Sequence, residues 1–165
     1  MDLDLVAAGA VLALIERRET VATAESLTGG LVAATLVAIP GVSAVFRGGL
    51  VVYATDLKHA LAGVPEGLLA DRGPVDPDVA LALAAGARDR CAADWGLATT
   101  GVAGPDPQDG KPVGLVYVAV HGPSGEAVRE LTLSGSRSDI RAGAATAVLA
   151  LLAAEMQAAA GGIPR

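Results

Sequence analysis

The sequence predicts an α/β fold, a three-layer α/β/α sandwich around a mixed sheet of about five strands that includes a late antiparallel hairpin. Strand-like and helix-like segments alternate through the first two thirds of the chain, which favours parallel strands joined by helices. Segments 113–120 and 127–133 are both strand-like and are separated by glycine and proline, which predicts the hairpin. With 165 residues, 52% of them hydrophobic, the chain can bury a core as one domain, expected over residues 1–160.

Apolar residues at helical spacing and capping residues predict the helices. The predicted helices cover 3–18, 30–38, 78–93 and 138–159, with two short ones beginning near Thr55 and Pro65. Ser136 or Ser138 is expected to cap the last helix. Residues 161–165 are expected to form a flexible tail.

Runs of apolar and β-branched residues predict three strands before the hairpin. They cover 21–23, 45–53 and 95–100. Gly48 and Gly49 lie in the middle of the second strand and predict a bulge or a close backbone contact there. The third strand leads into a long loop over 101–112, whose length is typical of a functional segment.

Charge and composition argue against several function classes. The formal net charge is −6, so neither nucleic acid nor an anionic membrane surface is an expected partner. Cys91 is the one cysteine, so no internal disulfide can form, and a buried structural thiol is expected. The acidic N-terminus is unlike a secretory signal, and the apolar run 142–154 is too short to span a bilayer. A cytoplasmic protein is therefore expected.

Segment 23–30 places a serine, Ser26, on a sharp turn between a strand and a helix. A serine at such a turn lies near the positive end of the helix dipole. The backbone N–H groups of Thr28, Gly29 and Gly30 are candidates to hold an oxyanion or a phosphate. The alternative is that Ser26 or Thr28 only caps the helix, with the glycines serving close packing.

A nucleophilic Ser26 needs a base, and histidine is weakly supported. The two histidines are His59 and His121; His121 is expected in the solvated hairpin turn, and His59 on the surface of a short helix. Lysine is the better candidate, because a desolvated amine can be neutral near pH 7.

Lys58 follows the strand that ends at Tyr53. If that strand neighbours the one that leads to Ser26, the three side chains emerge at the same edge of the sheet, where ligand sites of α/β proteins usually lie. Tyr53 is then placed to orient or relay a proton. The alternatives are a solvated helix charge for Lys58 and a half-buried strand aromatic for Tyr53.

Two further segments are candidates for substrate binding. Thr100 at the end of the third strand and Gly101, Ala103 and Gly104 in the loop after it form one candidate segment, where hydroxyl and flexible backbone groups can surround a ligand. Arg137 and Arg141 are four residues apart at the start of the last helix and are candidates to bind a phosphate. Solvated arginines and a simple glycine-proline loop are the alternatives. Walker and dinucleotide-binding motifs and metal-ligand spacings are absent from the sequence, so neither cofactor nor metal is expected.

Five short blocks in this order resemble the C-terminal domain of the CinA competence/damage-inducible family, over roughly residues 21–141. The blocks are Ala24-Glu25-Ser26-x-Thr28-Gly29-Gly30, Ile39-Pro40-Gly41-x-Ser43-Ala44-Val45-Phe46, Gly49-x-Val51-x-Tyr53 with Lys58, Gly101-x-Ala103-Gly104-Pro105, and Lys111-Pro112-Val113-Gly114. Five blocks in order are far more specific than any one of them.

The resemblance implies a nicotinamide-nucleotide amidase, which converts nicotinamide mononucleotide to nicotinate mononucleotide and ammonia in pyridine nucleotide salvage. It implies that Ser26 is the nucleophile, Lys58 the base and Tyr53 an assisting group. Over these 165 residues, the large N-terminal domain of full-length members is not expected. Leu27 stands where cysteine is common in the family, and Ala54-Thr55 where serine-asparagine is common, which leaves substrate choice open.

Two other function classes compete with this interpretation. One is a non-catalytic interaction module linked to competence or DNA damage, for which the acidic charge argues against direct DNA binding. The other is a serine-lysine peptidase or an amidase for other substrates. The abundant apolar helix surface also makes a homo-oligomer plausible, without indicating an interface.

Overall fold

The computed structural model describes residues 1–162 and contains one sheet with the strand order β2-β1-β3-β4-β5. The strands are β1 (Val21–Glu25), β2 (Phe46–Val51), β3 (Trp95–Gly101), β4 (Leu115–Gly122) and β5 (Gly125–Thr132). The helices are α1 (Leu3–Arg17), α2 (Leu31–Val37), α3 (Thr55–Ala60), α4 (Glu66–Arg72), α5 (Pro77–Arg90) and α6 (Arg137–Ala160). Of the predicted tail, residues 163–165 lie outside the described part of the chain.

The sheet is mixed, as predicted. Strand β1 pairs in parallel with β2 and β3, whereas β3 with β4 and β4 with β5 pair antiparallel. The carboxyl ends of β1, β2 and β3 therefore meet at one edge of the sheet. The functional candidates that follow these strands are brought together there.

Helices cover both faces of the sheet and enclose two hydrophobic cores. Helices α1, α2 and α6 pack on one face, around buried residues such as Leu14, Leu36 and Leu149. Helix α5 packs on the other face around Leu83 and Val79, with α4 beside it. The predicted three-layer α/β/α sandwich is therefore confirmed.

A bulge or a close backbone contact was predicted at Gly48 and Gly49, and the β1–β2 pairing is irregular immediately before that pair. The register of β1 against β2 shifts after Val21, which pairs with Phe46 while Ala22 pairs with Gly48. A side chain at Gly49 would lie 2.5 Å from the Thr23 hydroxyl on β1. Glycine at this point leaves room for the buried Thr23 side chain on the neighbouring strand.

Several predicted boundaries differ from the structure. Helix α5 ends at Arg90, so Cys91 follows the helix as its cap and is half-buried instead of buried within it. Strand β4 continues to Gly122, which places His121 in the strand and leaves a two-residue turn to β5. The predicted turn was too long because glycine and proline around it were read as turn residues. His121 is partly covered and contacts Arg88.

Helix α6 begins at a complete capping box. The Ser136 side chain accepts from the Asp139 N–H, and the Asp139 carboxylate accepts from the Ser136 N–H at 2.8 Å. Of the two serines expected as cap, the structure selects Ser136. By length and composition α6 is able to cross a membrane, but its buried residues are part of the core that covers the sheet.

Candidate active site

Ser26 lies immediately after β1, at the edge where the parallel strands end. It is 8% exposed, and its N–H donates to the Thr99 carbonyl of β3 at 3.0 Å. Beyond Ser26 the backbone turns sharply, with Gly29 at φ 58° and Gly30 at φ 103°. These left-handed conformations favour glycine and allow the chain to enter α2 directly.

The turn after Ser26 is held by its own hydrogen bonds and by a neighbouring strand. The Gly29 N–H donates to the Ser26 carbonyl at 3.0 Å. The hydroxyl groups of Thr28 and Thr99 are 2.7 Å apart, and both residues are buried. The Thr28 side chain therefore fastens the turn to β3.

Arg141 binds the same turn from helix α6. Its Nε donates to the Leu27 carbonyl at 3.0 Å, and its Nη2 donates to the Thr28 carbonyl at 2.7 Å. The guanidinium therefore satisfies two carbonyl groups of the turn that carries Ser26. Arg141 is therefore better placed to hold the turn that carries Ser26 than to bind a phosphate.

Glu25 is a buried carboxylate directly before Ser26, and it is 1% exposed. It accepts hydrogen bonds from the Val32 N–H at 2.7 Å and the Ala33 N–H at 3.1 Å. These N–H groups belong to the first turn of α2, where a helix has unsatisfied donors and a positive dipole end. Glu25 therefore occupies the N–H groups of the first helical turn, whereas the predicted oxyanion donors Thr28, Gly29 and Gly30 precede that turn.

Lys58 projects from α3 toward Ser26 and is 1% exposed. Its Nζ lies 2.9 Å from Ser26 Oγ. The same Nζ donates to the carbonyl of Val52 at 2.8 Å and of Tyr53 at 3.1 Å. The expected meeting of the serine hydroxyl and the lysine amine at the sheet edge is present.

The surroundings of Lys58 favour a neutral amine. Burial lowers the pKa of Lys58 from 10.5 to about 8, because the charged form is desolvated. No carboxylate among the described residues forms an ion pair with it. A substantial fraction of the protein therefore carries an uncharged Lys58 slightly above neutral pH.

Tyr53 and Arg137 meet at the outer end of the site. The Arg137 Nη2 donates to the Tyr53 hydroxyl at 2.9 Å, and its Nη1 donates to the Gly104 carbonyl. The Tyr53 side chain is 57% exposed, and its hydroxyl is bonded to Arg137 rather than to Ser26 or Lys58. Arg137 therefore connects the β2–α3 segment to the loop after β3.

A cavity of about 100 Å³ opens beside Ser26 and Lys58. Tyr53 and Arg137 line it, together with four residues predicted to bind substrate at the end of β3 and in the loop that follows: Thr100, Gly101, Ala103 and Gly104. The other predicted contacts, Thr28, Gly29, Gly30 and Arg141, are not among the lining residues. Thr100 is buried, and its hydroxyl donates to the Pro74 carbonyl at 2.6 Å, so it fixes a neighbouring segment of the wall.

Sequence reasoning missed four contributors to the site. Glu25 was part of the motif but received no role, although a glutamate at the end of a buried strand directly before a helix is a signal for helix capping. The role of the Val52 carbonyl cannot be recognised from the sequence, because every residue carries a backbone carbonyl. Asp106 and Gln108 line the cavity from the long loop, and only the length of that loop indicated a function.

The site offers the two side chains that acyl transfer requires, a hydroxyl and an amine. Within residues 1–162 there is no group of three or more histidine, cysteine, aspartate or glutamate residues that could hold a metal ion. A buried serine hydroxyl beside an amine of lowered pKa is the arrangement of a serine-lysine nucleophile pair.

Comparisons with known proteins agree with this architecture. The CinA-like protein of Frankia casuarinae is 51% identical over 145 residues, which are 87% of this chain and 34% of that protein. A putative competence-damage inducible protein of Desulforamulus reducens is 46% identical over 136 residues, 82% of this chain and 33% of that protein. The chain thus spans about a third of the length of these curated relatives.

Two solved structures have the same fold. The competence/damage inducible protein CihA from Agrobacterium tumefaciens matches with a TM-score of 0.89 and 36% identity, covering 93% of this chain and 95% of that one. A CinA superfamily protein from Klebsiella pneumoniae matches with a TM-score of 0.91 and 26% identity, covering 95% and 99%. Residues 4–156 match the sequence model of the CinA C-terminal domain. The chain therefore belongs to the CinA family, through that C-terminal domain.

Proposed function

We propose that this chain is a cytoplasmic amidase that hydrolyses the carboxamide of nicotinamide mononucleotide to nicotinate mononucleotide and ammonia. The observation that carries the proposal is the 2.9 Å contact between Lys58 Nζ and Ser26 Oγ inside a small buried cavity. The substrate comes from the family resemblance.

The hydrogen bonds of Lys58 support its role as the base. Two of its three bonding directions are taken by the carbonyls of Val52 and Tyr53, which can only accept. In the protonated amine, the third N–H points at Ser26 Oγ. In the neutral amine, the lone pair occupies that direction and accepts the Ser26 O–H, which is the arrangement required to remove its proton.

The first half of the reaction transfers the acyl group to Ser26. Its oxygen attacks the carboxamide carbon while Lys58 takes the hydroxyl proton. The tetrahedral intermediate then breaks its C–N bond, and the Lys58 ammonium returns the proton to the leaving nitrogen. Ammonia departs and an ester with Ser26 remains.

The oxyanion needs a donor other than the first turn of α2, because Glu25 accepts the Val32 and Ala33 N–H groups. The Gly29 N–H is engaged with the Ser26 carbonyl. The N–H groups of Leu27, Thr28 and Gly30 have no acceptor within residues 1–162, and of these three residues Leu27 is the one that lines the cavity. We assign the oxyanion to the Leu27 N–H, whose orientation is fixed in advance because the carbonyl of the same peptide unit, that of Ser26, accepts from the Gly29 N–H.

The second half of the reaction hydrolyses the ester. Water attacks the acyl carbon, Lys58 accepts a proton from the water, and the Ser26 oxygen recovers a proton as it leaves. The product is a carboxylic acid, which ionises at neutral pH. Serine and lysine return to their initial states.

The size and charge of the site fit a small polar substrate. A cavity of about 100 Å³ accommodates a carboxamide with part of its ring but not a mononucleotide, since pockets for whole drug-sized ligands are several times larger, on the order of 300 Å³ or more. The sugar and phosphate therefore lie at the mouth, where Arg137 is exposed. Arg137 is a better phosphate partner than Arg141, because Arg137 lines the cavity and is exposed, whereas Arg141 does not line it.

Ammonia release from nicotinamide mononucleotide tests the proposal. Ser26→Ala and Lys58→Met are expected to reduce turnover at least about a thousandfold, because they remove the nucleophile and its base. Lys111→Met is the matched control: it removes the other lysine of the chain, which does not line the cavity, and it should keep wild-type activity. Near-normal ammonia release by Ser26→Ala would refute the mechanism.

Substrate comparison separates the proposal from its alternatives. Release of ammonia from nicotinamide mononucleotide but not from nicotinamide supports a nucleotide amidase with a phosphate contact. Hydrolysis of both to the same extent indicates an amidase with broader specificity. Absence of hydrolysis from every carboxamide tested indicates the non-catalytic interaction module.

A further inference from the structure

Two opposite charges that are not paired with each other line the mouth of the cavity. Asp106 and Arg137 are both exposed and both line it, and Asp106 is the one carboxylate residue among the lining residues of the described chain. Within residues 1–162, neither residue forms an ion pair closer than 4.0 Å. Each is therefore available to a ligand group of opposite charge.

The segment that carries Asp106 is stiff. Pro105 and Pro107 flank it; a proline fixes its own φ, and the residue before a proline is confined to extended conformations. Beyond Pro107 the loop is closed by a bridge in which the N–H groups of Gln108 and Lys111 donate to each other's carbonyl at 3.1 and 2.8 Å. The carboxylate is thus held near the mouth before any ligand arrives.

We propose that Asp106 is a specificity-determining residue that selects substrates whose carboxamide-bearing ring is a cation. This inference rests on the proposed function. In a nucleotide built on nicotinamide the ring nitrogen is bonded to the sugar, so the ring carries a fixed positive charge. Ser26 and Asp106 line the same cavity of about 100 Å³, so a ligand whose carboxamide lies at Ser26 brings its ring charge close enough to Asp106 for the two charges to interact.

The Asp106 carboxylate favours binding of the substrate but disfavours binding of the product. Hydrolysis replaces the neutral carboxamide with a carboxylate, and Asp106 then repels the new negative charge. The preferred ligand is therefore a zwitterion with a cationic ring near Asp106 and an anionic group near Arg137. The product, which has one more negative charge, binds less tightly than the substrate.

Binding of two ligands that differ in ring charge tests the inference. Nicotinamide mononucleotide has a cationic ring, and its dihydro form has the same sugar, phosphate and carboxamide on a neutral ring. Dissociation constants are measured by calorimetry in the Ser26→Ala background, which prevents turnover. Asp106→Asn is compared with Asp109→Asn, a matched control on the same loop: Asp109 is exposed, does not line the cavity, and sits at φ 50°, which asparagine tolerates.

Asp106→Asn is expected to weaken binding of the cationic ligand about fivefold and to leave binding of the neutral one unchanged. Asp109→Asn should change neither, and the Asp106 effect should shrink at high salt. Equal losses for both ligands, or no loss for either, would overturn the inference. Ammonia release by the wild-type chain, measured in parallel, reports separately on the proposed function. If ammonia is released but Asp106→Asn does not distinguish the cationic from the neutral ligand, only the role of Asp106 is rejected and the proposed function stands.

Discussion

At the scale of single residues, the proposed activity depends on the protonation state of Lys58. An amine buried with two carbonyls and one hydroxyl has lost most of its hydration, which lowers its pKa to about 8. That loss makes the amine a usable base near neutral pH, and it also reduces the stability of the fold. The two effects have the same origin and can be measured separately.

The stability effect has a definite pH dependence. The pKa of Lys58 is about 8 in the folded chain and 10.5 for an ordinary lysine, so between these pH values the unfolded chain binds more protons and stability rises with pH. Relative to Lys58→Met, the free energy of unfolding of the wild-type chain should increase by about 3 kcal/mol from pH 8 to 10.5. Below pH 8 the difference should be constant. Urea unfolding at several pH values measures it, and a difference independent of pH would contradict the assignment.

The pairing of Ser26 and Lys58 could be predicted from sequence because both residues follow strands that end at the same sheet edge. The contacts of Arg141 could not. Its spacing from Arg137 indicated one shared helix face, but only the fold shows that the two guanidinium groups reach different targets, the Ser26 turn and the cavity mouth.

At the scale of secondary-structure elements, Glu25 connects β1 to α2. Its carboxylate is buried without a cation and is satisfied by two N–H groups of the helix. Because Ser26 is the next residue, the same contact sets the distance between the strand end and the helix start. Glu25 is thus a positioning residue for the nucleophile turn.

Loss of this cap should affect both stability and activity. Glu25→Ala is expected to lower the free energy of unfolding by about 1–3 kcal/mol, since it leaves two buried donors without acceptors. It should also reduce ammonia release by lowering kcat more than it changes KM. Glu16→Ala, an exposed glutamate on α1, serves as control and should change neither. Wild-type stability in Glu25→Ala would show that the cap is dispensable.

Boundaries of elements were predicted less well than their order. Helix α1 ends at Arg17 because Arg18 adopts φ 56°, and α5 ends three residues before the predicted position. Helical periodicity continues past both ends, so local pattern gives no stop signal there. In contrast, the capping box that starts α6 can be recognised in the sequence, because Asp139 follows Ser136 at the required spacing of three residues.

At the scale of the whole molecule, close packing of α5 on the sheet holds the second core together. A Cβ atom at Gly96 of β3 would overlap the Ala84 carbonyl of α5. Glycine at this position therefore sets how closely the helix approaches the strand. The sequence shows this glycine but not the helix that packs over it, because that contact joins distant parts of the chain.

Two glycine substitutions test the packing. Gly96→Ala should lower the free energy of unfolding by about 2 kcal/mol or more, because backbone has to move to admit the methyl group. Gly9→Ala is the contrast: Gly9 lies within α1 with no atom within 4 Å of an added Cβ, and alanine there should stabilise the chain by up to about 1 kcal/mol. Denaturant unfolding measures both, and equal effects would contradict this view of the α5–β3 contact.

The most direct test of the central claim is covalent labelling of Ser26, since it does not depend on which substrate the protein uses. Methanesulfonyl fluoride is small enough for the cavity and reacts with an activated serine: the oxygen–sulfur bond forms, fluoride leaves, and the base takes the proton. We expect one adduct, located at Ser26 by mass spectrometry, at a rate that rises with pH to a plateau above about 8. The adduct should be absent in Ser26→Ala and in Lys58→Met. Failure to label Ser26, or labelling at the same rate in Lys58→Met, would contradict the account.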